Sequence, residues 1–159
     1  MNLIREATFK DGLLVAKNIR LEDKAELEGF GEGLLSIPLG ILSSEHPVVF
    51  YSPAGELAGV AGVVRLDNQV GQIWMLCTPV IMEHPITFVR QAKKWLMSIQ
   101  GEYQLLWNLA DARNQVHHKL LKHLGFKALR TVPVGPNNLP YLEIVKLCVS
   151  PPLQSQQPL

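Results

Sequence analysis

Three strands separated by tight turns, the central one long, are predicted in the middle of the chain, and this segment constrains the fold most. Pro47–Tyr51, Glu56–Leu66 and Val70–Cys77 are rich in β-branched, aliphatic and aromatic side chains. The two connections, 52–55 and 67–69, hold the Pro, Gly, Asp and Asn residues that favour turns. Short apolar runs joined by such turns predict an antiparallel three-stranded meander.

Helical spacing replaces this pattern after residue 84. Pro85–Ile99 carries apolar residues at helical intervals, with a proline suited to the first helical position. These residues are Phe88, Ala92, Trp95, Leu96 and Ile99. A buried strand is expected at Leu105–Leu109. A second helix then begins after Asn114, an N-cap residue, and ends at Gly125.

The two ends of the chain complete the order of elements. A strand at 3–8, helices at 11–18 and 21–29, and a final hairpin from 126–132 to 139–148 give the order β-α-α-β-β-β-α-β-α-β-β. The strand–helix–strand unit predicts one parallel pair, formed by a right-handed crossover, and the other pairs are expected to be antiparallel. The fold class is therefore α+β, or mixed α/β. Residues 1–149 are expected to form a single domain, followed by a Pro/Gln-rich tail at 150–159.

Composition and charge exclude several classes of protein. Apolar residues make up 47% and charged residues 18%, which is not the balance of a disordered chain. The net charge of +1 disfavours electrostatic binding to nucleic acid. The longest run of apolar residues and glycines, Leu57–Val64, has eight residues. A membrane helix needs about 20, so no span is expected.

The candidate metal and redox residues have unsuitable spacing. Cys77 and Cys148 lie far apart, so we expect two unpaired thiols in a reducing compartment. His118 and His123 are five residues apart, on different sides of one helix, and no metal site is predicted. We expect the helix that carries them, with His117, to present a solvated face. Another solvated helix, 21–29, is expected to expose its acidic residues.

The order of elements resembles the fold of the GNAT acyltransferases, which are acetyl-CoA-dependent N-acetyltransferases. The strongest local match is 114–126, where an Asn opens a helix that ends in Gly-Phe and leads into the next strand. The resemblance covers roughly residues 4–147. It implies a central mixed sheet of about six to seven strands, flanked by about four helices.

A closer resemblance is to the GNAT-like internal virion proteins of short-tailed phages (podophages). It rests on Leu106-Trp107-Asn108, on Asn114, His118, Leu121-Lys122 and Gly125, and on the strand at Trp74 followed by Thr78 and a basic helix. It implies a virion-associated or assembly protein, located in the virion or the host cytoplasm. Its partners would be other phage virion proteins, and self-association is left open. The tail would dock through Pro151, Pro152, Leu153 and Leu159.

The GNAT resemblance also implies a place for acetyl-CoA. In that family the two parallel strands splay apart, and the pantetheine arm pairs with backbone groups in the gap. The corresponding backbone here is 73–78. If CoA binds, the resemblance assigns the contacts to Leu76, Cys77, Thr78, His84 and Asn114. Asn114 also has a purely structural interpretation as an N-cap, worth about 1 kcal/mol.

Two departures from the family pattern weaken the case for catalysis. The loop 78–85 has no glycine, and Pro79 and Pro85 remove backbone donors where a pyrophosphate would bind. Glu83 adds a negative charge to the same loop. The second departure is Leu121, which stands where the family commonly has a Tyr acid. We therefore expect degenerate or absent acetyltransferase activity.

The alternatives that stay open are an active N-acyltransferase with an atypical pyrophosphate loop and a sensor that binds without turnover. A general base could be Glu56, Glu83 or His84, but nothing in the sequence selects one, so the catalytic residues are unknown.

Overall fold

The computed structural model describes residues 3–148 and contains a seven-stranded mixed sheet with five α-helices. In chain order the elements are β1 (Ile4–Glu6), α1 (Phe9–Lys17), α2 (Leu21–Gly29), α3 (Ser36–Ser43), β2 (Glu45–Tyr51), β3 (Leu57–Arg65), β4 (Val70–Cys77), α4 (Pro85–Ile99), β5 (Leu105–Asp111), α5 (Gln115–His123), β6 (Lys127–Val134) and β7 (Leu139–Leu147). The strands lie in the order β1-β2-β3-β4-β5-β7-β6. The predicted α+β class is confirmed.

The pairing of the strands follows the predicted topology. β2, β3 and β4 form the antiparallel meander, and β1 adds to it beside β2. β4 and β5 are the parallel pair, joined by a crossover that contains α4. β7 lies between β5 and β6 and is antiparallel to both.

Alternate residues of the strands are buried in two separate hydrophobic cores, one on each face of the sheet. Val48, Phe50 and Ile73 pack with α4 and α5, whereas Val49 and Val60 pack with α1, α2 and α3. This alternation is the two-residue period of a strand buried on both faces. The helices therefore cover the sheet as two layers.

Helix α4 has the predicted bounds and the predicted face. All five of its predicted apolar residues are buried, and Pro85 occupies the first turn. Arg90, Lys93 and Lys94 are exposed, as expected. In α5, the Asn114 side chain accepts a hydrogen bond from the His117 backbone N–H, which confirms the N-cap.

Two features of the N-terminal half differ from the prediction. α1 begins at Phe9 because Thr8 and Asp11 form a reciprocal capping box. α3 was not predicted, since it contains Pro38 and Gly40, which are poor helix formers. It is held by tertiary packing, with Ile37 and Ile41 buried in the core that it shares with α1.

The prediction that α2 exposes its acidic residues is confirmed for Glu22 and Glu28 but is wrong for Asp23 and Glu26. Leu21 is 80% exposed, whereas Asp23 and Glu26 are buried. The reason is tertiary: these carboxylates accept hydrogen bonds from the ends of β4 and β5, where the two strands no longer pair with each other.

Both cysteines, Cys77 and Cys148, are unpaired thiols. In the part of the chain that the structure describes, no helix is long and apolar enough to cross a membrane. The docking residues expected in the tail, Pro151, Pro152, Leu153 and Leu159, lie outside the described residues.

Candidate functional site

The parallel strands β4 and β5 separate after a short paired stretch. They pair only at Val70–Leu105, Gly71–Leu106 and Gln72–Trp107. Beyond these pairs β4 continues to Cys77 and β5 to Asp111. The sheet is therefore split along the outer halves of two adjacent strands.

Asn108 lies where the split begins. Its side-chain amide donates to the carbonyl oxygen of Ile73 at 2.6 Å, and its Oδ1 accepts from the Gln72 amide at 3.2 Å. The same oxygen accepts from the backbone N–H of Leu109 at 2.7 Å. The Asn108 side chain thus bonds to the Ile73 carbonyl and the Leu109 N–H, which would take part in the β4–β5 ladder if it continued. The two strands separate at this point.

One stretch of β4 backbone faces the open gap. Three backbone groups of β4 point away from β3: the Ile73 carbonyl, the Cys77 N–H and the Cys77 carbonyl. Their hydrogen-bond partners, Asn108, Asp23 and Arg20 respectively, show this direction. Successive residues of a strand point their backbone groups to alternate sides. The N–H and C=O of Met75 therefore also point into the gap.

A cavity of about 600 Å³ adjoins this gap on the side of α4 and α5. Its apolar wall includes Met75, Ile81, Phe88, Val116 and Leu120. A smaller void of about 30 Å³ lies deeper, lined in part by Asn108 and Ala110. Met75, His117 and Leu120 line both spaces, so the small void lies beside the inner wall of the larger cavity.

The rim of the large cavity is cationic. Arg90 and Lys93 from α4, with Lys119 and His123 from α5, line it and are exposed. Asp23 is the acidic residue among its lining side chains, and it is paired with Arg20 at 3.0 Å. An apolar wall with a positive rim suits an elongated ligand that carries anionic groups at one end.

Two carboxylates of α2 close the far end of the split. Asp23 Oδ2 accepts from the Cys77 N–H, and Glu26 Oε1 accepts from the Asp111 N–H, both at 2.8 Å. Buried N–H groups need partners, and the diverging strands no longer offer them to each other. Each strand end is thus capped by one side chain of α2.

Helix α5 joins the same buried network. The Asn114 amide donates to Asp23 Oδ1 at 2.9 Å and to Glu26 Oε2 at 3.2 Å. His117 Nδ1 lies 3.2 Å from Glu26 Oε2. Because α2 and α5 cover opposite faces of the sheet, these contacts pass through the gap between β4 and β5.

The network shifts the pKa of its titratable members. Burial raises the pKa of Asp23. Burial acts the same way on Glu26, but the hydrogen bond and charge of His117, with the other donors, hold the pKa of Glu26 below its usual value. Burial opposes the charging of His117, yet Glu26 and Asp23 outweigh it and raise the pKa of the imidazole. The ionised forms of Glu26 and His117 therefore stabilise each other.

Asp23, Glu26 and His117 also have the composition of a metal site, with ligand atoms within 4.8 Å of one another. Each carboxylate, however, already accepts three hydrogen bonds. The residues fit a charge-balanced internal network rather than a cation site.

The residues assigned to CoA from the sequence do not all lie at the gap. Cys77 lines the cavity, and Asn114 belongs to the network at its end. Leu76 is packed in the core on the opposite face of the sheet. The Thr78 hydroxyl donates to the Leu57 carbonyl at 2.7 Å, and His84 is the half-buried residue before α4. Their roles in cofactor binding stay predictions.

The residues suggested as general bases lie away from the cavity wall. Glu56 is in an exposed turn, and Glu83 is exposed at the end of the loop before α4. That loop forms a 3₁₀ turn over Pro79–Met82, capped by the Thr78 side chain. It contributes Ile81 to the cavity.

The expectation of a solvated histidine face is wrong for His117. His123 is exposed, but the His117 side chain is only 15% exposed and bonds to Glu26. The network of Asp23, Glu26 and His117 was therefore not predicted from the sequence. The one local signal was the spacing of Asp23 and Glu26, three residues apart on one helix face.

Neither the family models nor the curated proteins include a match to this sequence. Solved structures do match. An acetyltransferase of the GNAT family from Bacillus anthracis gives a TM-score of 0.67 at 13% identity, over 91% of this chain and 93% of that one. The aminoglycoside acetyltransferase AAC(6')-Ib, in complex with ribostamycin and coenzyme A, gives 0.66 at 16% identity, over 91% and 92%.

A chimera of the spermidine N-acetyltransferase SpeG from Vibrio cholerae and hSSAT gives a TM-score of 0.64 at 12% identity, over 91% of this chain and 94% of that one. Identities this low show the fold alone. The closer resemblance to phage virion proteins stays a prediction. With the split mixed sheet and the five α-helices of residues 3–148, this chain has the GNAT acetyltransferase fold.

Proposed function

We propose that the chain binds a CoA thioester in the gap between β4 and β5 and transfers its acyl group to an amine. The observation that carries the proposal is the continuity of the split with an apolar cavity of about 600 Å³ and a cationic rim. Similarity in fold to acetyltransferases, one of them in complex with coenzyme A, supports the ligand class.

The chemistry of the ligand matches the surfaces available. A pantetheine arm carries amides that pair with strand backbone, and Met75 offers a N–H and a C=O facing the gap. The phosphates of CoA need cations, and Arg90, Lys93 and Lys119 supply them at the rim. These side chains would replace the glycine loop that the sequence lacks.

The route of transfer is direct attack of the amine on the thioester. Cys77 lines the cavity, but burial raises the pKa of its thiol well above the ordinary value. A neutral thiol is a poor nucleophile, so an acyl-cysteine intermediate is not expected.

A second candidate function is a virion-associated assembly role, as the phage resemblance implies. It is favoured by Leu121, a buried core residue where the family's Tyr acid is expected. In that role the protein would act through other phage virion proteins, in the virion or the host cytoplasm, without turnover.

Thermal unfolding with and without millimolar acetyl-CoA tests binding. A ligand at 100 times its Kd adds about 2.7 kcal/mol, which raises Tm by about 5–11 °C in a domain of this size. The double variant Arg90→Glu/Lys93→Glu should lose most of the shift. Lys94→Glu, exposed on the same helix but outside the cavity lining, is the matched control and should keep it.

The release of CoA thiol from acetyl-CoA tests transfer. Spermidine and ribostamycin are the first acceptors to try, since they are named with the structural neighbours. No shift in Tm contradicts the binding proposal. A shift without thiol release from any amine contradicts transfer and favours binding without turnover.

A further inference from the structure

We propose that His117 donates the proton to the departing thiolate in this transfer and that Glu26 positions it. The inference rests on the proposed function and adds the residue that would complete its chemistry. His117 would be the catalytic residue, whereas Glu26 acts only through it.

The position of His117 carries the inference. Its side chain lines both the large cavity and the small void, at the place where β4 and β5 have parted. Leu121, one turn further along α5, lines the small void but has no proton to donate. Among the residues shared by the two spaces, Met75, His117 and Leu120, the imidazole is the titratable group.

The orientation of the ring follows from its hydrogen bond. Nδ1 is taken by Glu26 Oε2 at 3.2 Å, so Nε2 is the nitrogen left for the cavity. Glu26 is held in turn by the N–H of Asp111 and by the amide of Asn114. A carboxylate fixed in this way orients the imidazole and favours its protonated form.

Other charges also face the imidazole, and they set its titration. The titratable or charged groups around His117 are Arg20, Asp23 and Glu26 at α2, Cys77 on β4, Arg90 and Lys93 on α4, and Lys119 and His123 on α5. The carboxylates of α2 are the partners nearest to it, and they outweigh the cations.

Acyl transfer replaces the C–S bond of the thioester by a C–N bond. The nitrogen of a neutral amine forms a bond to the thioester carbonyl carbon, and the C–S bond breaks with its electron pair on sulfur. The sulfur takes the proton from His117 Nε2. The new amide nitrogen loses its extra proton to water, and His117 is reprotonated from solvent through the cavity.

Turnover of a His117→Gln variant tests the role. Glutamine keeps a donor toward Glu26 but cannot transfer a proton, so we expect kcat to fall about 100-fold. The Tm shift with acetyl-CoA should remain. His118→Gln is the matched control, since His118 is the adjacent histidine and lines neither space.

The pH profile separates catalysis from a structural role. The ratio of wild-type to His117→Gln rates cancels the titration of the amine, which is common to both. This ratio should fall toward one as pH rises through the pKa of His117. A ratio that does not change with pH overturns the proposal.

A readout without turnover uses CoA and desulfo-CoA as probes. We expect CoA to change the NMR-measured pKa of His117 relative to desulfo-CoA, because only CoA places sulfur beside Nε2. The same pKa with both bound probes overturns the role of His117 but leaves CoA binding intact. Failure of both probes to bind overturns the proposed function, and the role of His117 with it.

Discussion

Buried charge is the feature of individual residues that most shapes this site. Asp23, Glu26 and Arg20 are each at most 5% exposed, and a buried charge is costly unless it is paired and hydrogen-bonded. Here the partners include the N–H groups of two strand ends. The same carboxylates therefore satisfy backbone N–H groups that the split leaves without a partner strand.

Replacing Glu26 by Gln should destabilise the fold. The variant removes the negative charge that is hydrogen-bonded to the protonated His117, leaving Asp23 as the nearby carboxylate, and weakens the hydrogen bonds to Asp111 and Asn114. We expect the free energy of unfolding to fall by about 2–3 kcal/mol, as for a lost hydrogen bond to a charged group. Glu28→Gln, exposed on the same helix, should stay within about 0.5 kcal/mol in urea unfolding.

The pH dependence of that loss has a definite sign. Because folding raises the pKa of His117, this residue contributes its full stabilisation below about pH 6.5. The contribution is lost as pH rises through the pKa of His117 in the folded protein. Because folding lowers the pKa of Glu26, this residue contributes its full stabilisation above about pH 4.5. The contribution is lost as pH falls through the pKa of Glu26 in the folded protein. The difference between wild type and Glu26→Gln should therefore be largest between about pH 4.5 and 6.5. A difference that does not vary with pH contradicts the pairing.

Among the elements, α3 shows how packing overrides local preference. A Pro and a Gly within eight residues argue against a helix, yet Ile37 and Ile41 anchor it against α1. The contact is close because residue 12 of α1 is a glycine. A Cβ there would lie 2.6 Å from the Cα of Pro38.

A Gly12→Ala variant tests this packing. The added methyl meets the backbone of Pro38 as well as the side chain of Ile41, so we expect a loss of about 1–3 kcal/mol in the free energy of unfolding. Gly33→Ala is the control, because a Cβ at Gly33 has nothing within 4 Å. Equal stability of Gly12→Ala and the control would contradict the close contact between Gly12 of α1 and Pro38 of α3.

At the scale of the whole molecule, the sequence predicts the helices and strands better than it predicts the tertiary contacts between them. The meander, α4 and the crossover follow from local period and turn chemistry, and Pro85–Ile99 matches in both bounds. The network of Asp23, Glu26 and His117 joins residues 91 positions apart. No local pattern reports such a contact, so acidic residues on a short helix were expected in solvent.

The gap itself illustrates the same limit. A parallel pair could be predicted from the strand–helix–strand order, but the end of its pairing depends on the Asn108 side chain bonding across to Ile73. The resemblance to the GNAT fold supplied the expectation of a splayed pair. It did not indicate that the backbone N–H and C=O of Met75 would point into the gap, or that the Leu76 side chain would pack on the opposite face of the sheet.

An NMR titration of the ¹⁵N-labelled protein with acetyl-CoA tests the central claim most directly. If the split binds a CoA thioester, the amide of Met75 should shift, together with amides of α4 and α5 around the cationic rim. Amides of α1 and α3, on the opposite face of the sheet, should stay in place. Unchanged amides at Met75 and the rim with millimolar acetyl-CoA, or shifts confined to α1 and α3, would contradict the account.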